Sequence, residues 1–199
     1  MKKSVFVTGS GGQIGQELLR LQWPTNVALL TPEVDQLDIS HRPSVDDFFA
    51  SNEIAAIINC AAYTAVDRAE TEISAAYAAN AYGAGWLASA AGRADIPMVH
   101  VSTDYVFGDG DVRRQPYDPV APESVYGASK LAGEIAVAAA TNRAVIVRTA
   151  WVISPFGSNF LKTMLRLAEN QDEIRVVADQ KGCPTAAGDI AEALQSIIL

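Results

Sequence analysis

Short β-branched, apolar runs alternate along this chain with longer stretches whose apolar residues recur every three or four positions. Ser4–Thr8, Asn26–Leu30, Ala55–Cys60, Pro97–Thr103, Ala144–Thr149 and Ile174–Ala178 read as six strands. Gly12–Gln22, Arg42–Asn52, Ser74–Arg93, Val125–Thr141, Ser158–Asn170 and Gly188–Leu199 read as helices, with Ser44 as the N-cap of the second. This alternation predicts an α/β fold, a Rossmann-like doubly wound parallel sheet in the order 3-2-1-4-5-6 with helices on both faces. The near-continuous apolar strands fit a sheet buried on both sides. No boundary divides residues 1–199, which read as one domain. The polar stretch Gly108–Glu123 is the one long loop and is expected to cover the mouth of a site.

Composition narrows the class. The chain has 199 residues, 23 Asp+Glu against 15 Lys+Arg, and a formal charge of −8. A fold of this size buries roughly 70% of its unfolded surface and needs no disulfide to hold it. No apolar run approaches the ~20 residues of a membrane span; Ile54–Ala62 is cut by Asn59. The amino end reaches a glycine-rich turn too soon for a signal peptide. Cys60 and Cys183 have neither metal-site nor disulfide spacing. The acidic balance, with basic doublets only at Lys2-Lys3 and Arg113-Arg114, argues against a nucleic-acid partner. These features together suggest a cytoplasmic protein that acts on neither membranes nor nucleic acids.

The first strand runs into Gly9, Gly12 and Gly15, spaced G-x-x-G-x-x-G. Glycine allows a tight turn and close backbone approach, and the following helix offers free N–H groups to a pyrophosphate. The bland alternative is a plain strand–helix turn. The second strand ends in Thr31-Pro32 with no carboxylate at its tip; Glu33 and Asp35 follow and read equally as solvated loop charges. The gap favours NADPH over NADH, with Arg42 the one candidate for its extra phosphate.

Tyr126 and Lys130 are spaced i, i+4 at the start of a helix and so share one face. An ammonium beside a phenol lowers its pKa and readies it as a general acid. Ser102-Thr103-Asp104 ends the fourth strand, and in the expected strand order it faces the glycine turn across one crevice.

These residues, with LDIS, INCAAYTAVDRAE, VRTAWV, GSNFLKTMLRLA and VVADQKGCPTAAGDIA, resemble the dTDP-4-dehydrorhamnose reductases of the extended short-chain dehydrogenase/reductase superfamily, from residue 4 to about 192. The resemblance implies reduction of the C4 ketone of dTDP-4-dehydro-L-rhamnose by NADPH, or by NADH. It makes Tyr126 the proton donor, Lys130 the ribose ligand that tunes it, and Thr103 a hydroxyl near the reacting oxygen. It puts Gln13 and Ile14 on the pyrophosphate, Asp38 and Ile39 on the adenosine, and Ala61, Ala62, Tyr63 and Ser102 along the cofactor. It puts Asp104 and Trp151 on the nucleotide sugar. Ile153 departs from the family, which carries tyrosine there. Relatives continue well past the GDIA segment, so most of the small substrate domain is expected to be missing, and with it the carboxylates that hold Mg²⁺ at a dimer interface in some relatives. No metal is therefore expected, and a homodimer stays open. Two other readings also remain open: an NADP-binding regulatory subunit of the methionine adenosyltransferase type, and a nucleotide-sugar epimerase or dehydratase.

Overall fold

The computed structural model describes residues 2–108, 110, 113–178 and 180–199. Five strands, β1 (Lys3–Thr8), β2 (Val27–Leu30), β3 (Ala56–Asn59), β4 (Met98–Thr103) and β5 (Ala144–Thr149), pair in parallel in the order β2-β1-β3-β4-β5. A separate parallel pair joins β6 (Val152–Ile153) to β7 (Thr185–Ala186). The helices are α1 (Gln13–Arg20), α2 (Arg42–Ser51), α3 (Val66–Ala69), α4 (Ile73–Tyr77), α5 (Ala84–Ala94), α6 (Val125–Ala140), α7 (Phe160–Ala168) and α8 (Ala187–Ile198). A π-helical segment, Ala78–Gly83, links α4 to α5, and Asp104–Val106 makes a single 3₁₀ turn.

Successive strand residues point to opposite faces, and that alternation builds two cores. Val5, Val7, Ala56, Ile58 and Val99 face one way, against Leu18 of α1 and Ile190, Ala191 and Leu194 of α8. Phe6, Ile57 and Met98 face the other way, against Val45 of α2, four residues of α5 and Val137 of α6. Phe6 is fully buried, with the rings of Phe48 and Phe49 at 4.8 and 6.0 Å. Both faces carry helices, as the alternation predicts.

The strand order departs from 3-2-1-4-5-6. Residues 31–41 form turns where a further strand would be needed outside β2. The chain therefore crosses back after β2, and β3 pairs with β1 on its other side. The switch in winding falls between β1 and β3, not between the first and fourth strands. Ile174–Ala178 forms no strand, and β5 is the last strand of the large sheet on that side. Ser44 is not the cap of α2. The preceding residue is His41, which makes no side-chain cap bond, and Pro43 lies in the first turn, where a missing N–H costs nothing. The continuous helix expected over Ser74–Arg93 is broken in register by the π segment. The fifth expected helix begins only at Phe160, because the side chain of Asn159 caps it by accepting from Lys162 N.

Candidate active site

The carboxyl ends of β1, β3, β4 and β5 open onto one cavity of about 1300 Å³. At its β1 end the glycine turn is sterically compelled. Gly9 has φ +65°, and a Cβ there would stand 2.7 Å from Ala61 N. A Cβ on Gly15 would stand 2.3 Å from the carbonyl oxygen of Gly9. α1 is thus pressed onto the turn, with its first N–H groups lacking intrahelical partners and the positive end of its dipole toward the cavity. Ser10 Oγ lies buried beside them with no hydrogen-bond partner among the described residues. Together these features make a cradle for an anion.

The loop after β3 is held by a buried polar row. Thr8 Oγ1 donates to Asn59 Oδ1 at 2.6 Å, and Ala61 N donates to both residues. Asn59 Nδ2 lies 2.9 Å from His100 Nδ1. Burial, with Lys130 nearby, holds the His100 imidazole well below its usual pKa. It is therefore neutral and accepts from Asn59. His100 lies within β4.

α6 carries the candidate chemistry. Ser124 Oγ accepts from Gly127 N and a Glu70 carboxylate oxygen accepts from Val125 N, so the helix start is tied down on both sides of Tyr126. Tyr126 packs edge-on against Tyr105 and shares the cavity wall with Thr103, whose hydroxyl donates to an Asp104 carboxylate oxygen at 3.2 Å and accepts from Tyr105 N. Lys130 is 2% exposed and its ammonium donates to Val101 O at 2.7 Å. Burial lowers its pKa to about 8 against the opposing pull of Glu134 and Cys60. The lowering of the Tyr126 pKa expected from the i, i+4 spacing is not realised. Burial dominates and raises it, Asp104 and Tyr105 add to the rise, and the Thr103 hydroxyl only partly offsets it. The Lys130 ammonium is directed at the Val101 carbonyl and is not among the groups that shift the phenol. One turn further along α6, Glu134 accepts from Ser102 Oγ at 2.5 Å and from Arg148 through two nitrogens at 2.9 and 2.6 Å. Arg148 lies over the Phe107 ring at 4.8 Å and donates to Pro116 O.

The cavity brings together Gly9, Gly12, Gln13, Ile14, Gly15, Asp38, Ile39, Ala61, Ala62, Ser102, Thr103, Asp104, Tyr126, Lys130 and Trp151. It does not include Tyr63, whose phenol donates to Glu72 while its backbone N donates to Asn80. Asp38 lines the wall, and its Oδ1 also accepts from the N and Oγ of Ser40, which fixes the turn before α2. Trp151 lies in the left-handed region at φ +43°, and a Cβ on Gly182 would meet its indole at 2.2 Å. Such backbone strain, of order 1–3 kcal/mol, concentrates at functional sites. Ile153, the departure from the family, also faces the cavity. No described residue of the Gly108–Glu123 loop lines it; Arg148 and Phe107 pin part of that loop elsewhere, and part lies outside the described residues. Of the two carboxylates past the β2 tip, Glu33 lines the cavity and Asp35 does not. Ser10, Thr149 and Asn159 also line it and carry no spacing signal in the sequence.

Comparison with known proteins agrees with this geometry. The RmlD substrate binding domain family matches residues 1–199. A dTDP-4-dehydrorhamnose reductase of Sinorhizobium fredii is 47% identical over 194 residues, covering 96% of this chain and 64% of that protein. The Mycolicibacterium smegmatis reductase of the same name is 45% identical, covering 100% of this chain and 61% of its own length. The chain thus spans less than two thirds of these relatives. Two crystal structures of dTDP-4-dehydrorhamnose reductases superpose closely. That from Clostridium acetobutylicum gives a TM-score of 0.94 at 40% identity, covering 98% of this chain and 70% of the other. That from Bacillus anthracis, in complex with NADP, gives 0.92 at 40% identity, covering 100% and 71%. With the family matched from end to end and the fold shared at this level, this chain belongs to the RmlD substrate binding domain family.

Proposed function

We propose that this chain binds NADPH, with NADH as the alternative, and reduces the C4 ketone of dTDP-4-dehydro-L-rhamnose to dTDP-L-rhamnose. The observation that carries the reading is the placement of Thr103, Tyr126 and Lys130 on the wall of the cavity that also holds the glycine cradle. The unpartnered Ser10 hydroxyl and the space that only glycine leaves at positions 9 and 15 fit a dinucleotide pyrophosphate. Gln13 and Ile14 would lie along that pyrophosphate, Asp38 and Ile39 beside the adenosine, and Ala61, Ala62 and Ser102 along the middle. A reduced nicotinamide supplies hydride when bound. The chain's own groups supply the proton and the orientation. The Tyr126 phenol, protonated at neutral pH, gives its proton to the ketone oxygen as it becomes a hydroxyl. Thr103 holds that phenol and shares the oxygen, Lys130 is charged below about pH 8 and binds ribose hydroxyls, and Asp104 and Trp151 contact the nucleotide sugar. The same reading takes the protein to be cytoplasmic and leaves a homodimer open.

Following NADPH absorbance tests this. Oxidation is expected only with the keto sugar present. Cofactor binding without sugar-dependent oxidation would favour the regulatory-subunit reading instead. Gly15→Ala tests the cradle. Its Cβ must displace the turn's backbone at 2.3 Å, and the N–H groups so shifted are expected to bind NADPH about tenfold more weakly, about 1.4 kcal/mol. Fluorescence titration reads it, and unchanged affinity would remove the glycine turn from the site.

A further inference from the structure

Among the described residues three side chains hold a buried polar atom without a partner: Ser10 Oγ, His100 Nε2 and Thr149 Oγ1. Buried polar groups are paired almost without exception, so each orphan calls for a reason. Two of the three, Ser10 and Thr149, lie on the cavity wall. Ser10 belongs to the anion cradle. Thr149 ends β5 and is paired in register with Thr103 of β4. Laterally paired residues of parallel strands present their side chains to the same face. The Thr149 side chain therefore stands beside that of Thr103, on the wall that also carries Tyr126, and Ala150 and the strained Trp151 continue the wall from it.

We propose that Thr149 is a ligand-binding residue whose hydroxyl hydrogen-bonds the bound ligands at the reacting end of the cavity, through a carboxamide or hydroxyl group. The inference rests on the reductase reading above. The carboxamide would belong to the nicotinamide, the hydroxyl to the sugar.

Thr149→Val keeps the shape and removes only the hydroxyl; Thr149→Ser keeps the hydroxyl and removes a methyl group. Three measurements are made on each: NADPH titration by fluorescence, dTDP-L-rhamnose titration by calorimetry, and Tm. For Thr149→Val, Tm is expected to stay level or rise, because an unsatisfied buried group is gone. Affinity for one ligand is expected to fall about tenfold, and Thr149→Ser should restore it to within about twofold. A fall for NADPH alone identifies the carboxamide, and a fall for the sugar nucleotide alone identifies its hydroxyl. Both affinities within twofold in Thr149→Val overturn the proposal while leaving the reductase reading intact, as does weakened binding that serine fails to restore. A wild-type chain that binds neither ligand overturns both.

Discussion

Tyr126→Phe is expected to lower kcat for the keto sugar by about 10²–10⁴-fold, the usual contribution of a positioned general acid. NADPH affinity should stay within about twofold, because the phenylalanine ring keeps the edge-on packing against Tyr105. Burial holds the phenol's proton on, with the Thr103 hydroxyl as the one group that opposes it. The variant therefore loses the transferable proton and little else. Thr103→Val in the same assay separates donor from orienter, since it leaves the phenol present but unheld. A Tyr126→Phe enzyme with more than about a tenth of wild-type kcat would move the proton donor elsewhere, Asp104 being the nearest group whose carboxyl burial pushes upward.

The largest stability effect is expected at Arg148. Its guanidinium is the bidentate partner of Glu134, a carboxylate only 5% exposed. Arg148→Met leaves that carboxylate buried with a serine hydroxyl as its remaining hydrogen bond. Removing one member of a buried pair costs about 3–5 kcal/mol. For a chain of this length each kcal/mol moves Tm by about 2–4 °C, so a fall on the order of 10 °C should appear in a thermal melt. Pairing Arg148→Met with Glu134→Leu should recover most of the loss, because apolar residues of similar volume replace such pairs at little cost. If Arg148→Met melts within about 2 °C of wild type, Glu134 is not the uncompensated charge that its burial and 2.5 Å contact with Ser102 indicate.

Much of this arrangement is legible in the sequence, for reasons that differ by element. β1, β4, β5 and α6 are bounded within a residue or so, because alternating β-branched runs and a serine N-cap are local signals. Strand order is not local. It depends on whether residues 31–41 form a strand, and their apolar Val34, Leu37 and Ile39 follow neither strand nor helix period. The glycine cradle could be read because its requirement, no Cβ, is written in residue type. The Lys130–Tyr126 coupling was misjudged because spacing shows which residues share a face but not which acceptor an ammonium chooses. Val101 O is backbone, and no residue letter marks it. Tyr63 was placed along the cofactor by resemblance. Its exit toward Glu72 depends on Asn80, which takes up both the N and O of Tyr63 from seventeen positions away.

That asparagine owes its position to the π-helical turn at Ala78–Gly83. Five-residue spacing there lets one residue more than an α-helix would hold pass within the same advance, and it brings Asn80 Nδ2 to both Tyr63 O and Ser129 Oγ of α6. Gly133 of α6 meets the same residue so closely that a Cβ would stand 2.1 Å from Asn80 O. The turn thus works as a slack loop wound into a rod: it absorbs one residue without turning the helix that follows. Deleting one residue there would return the segment to α geometry and leave Leu87 and Ala91 facing Met98 and Ile57 in the core. The clasp of Asn80 between the β3 loop and the helix bearing Tyr126 would come undone. A one-residue deletion in the turn is therefore expected to spare the core and cost the site.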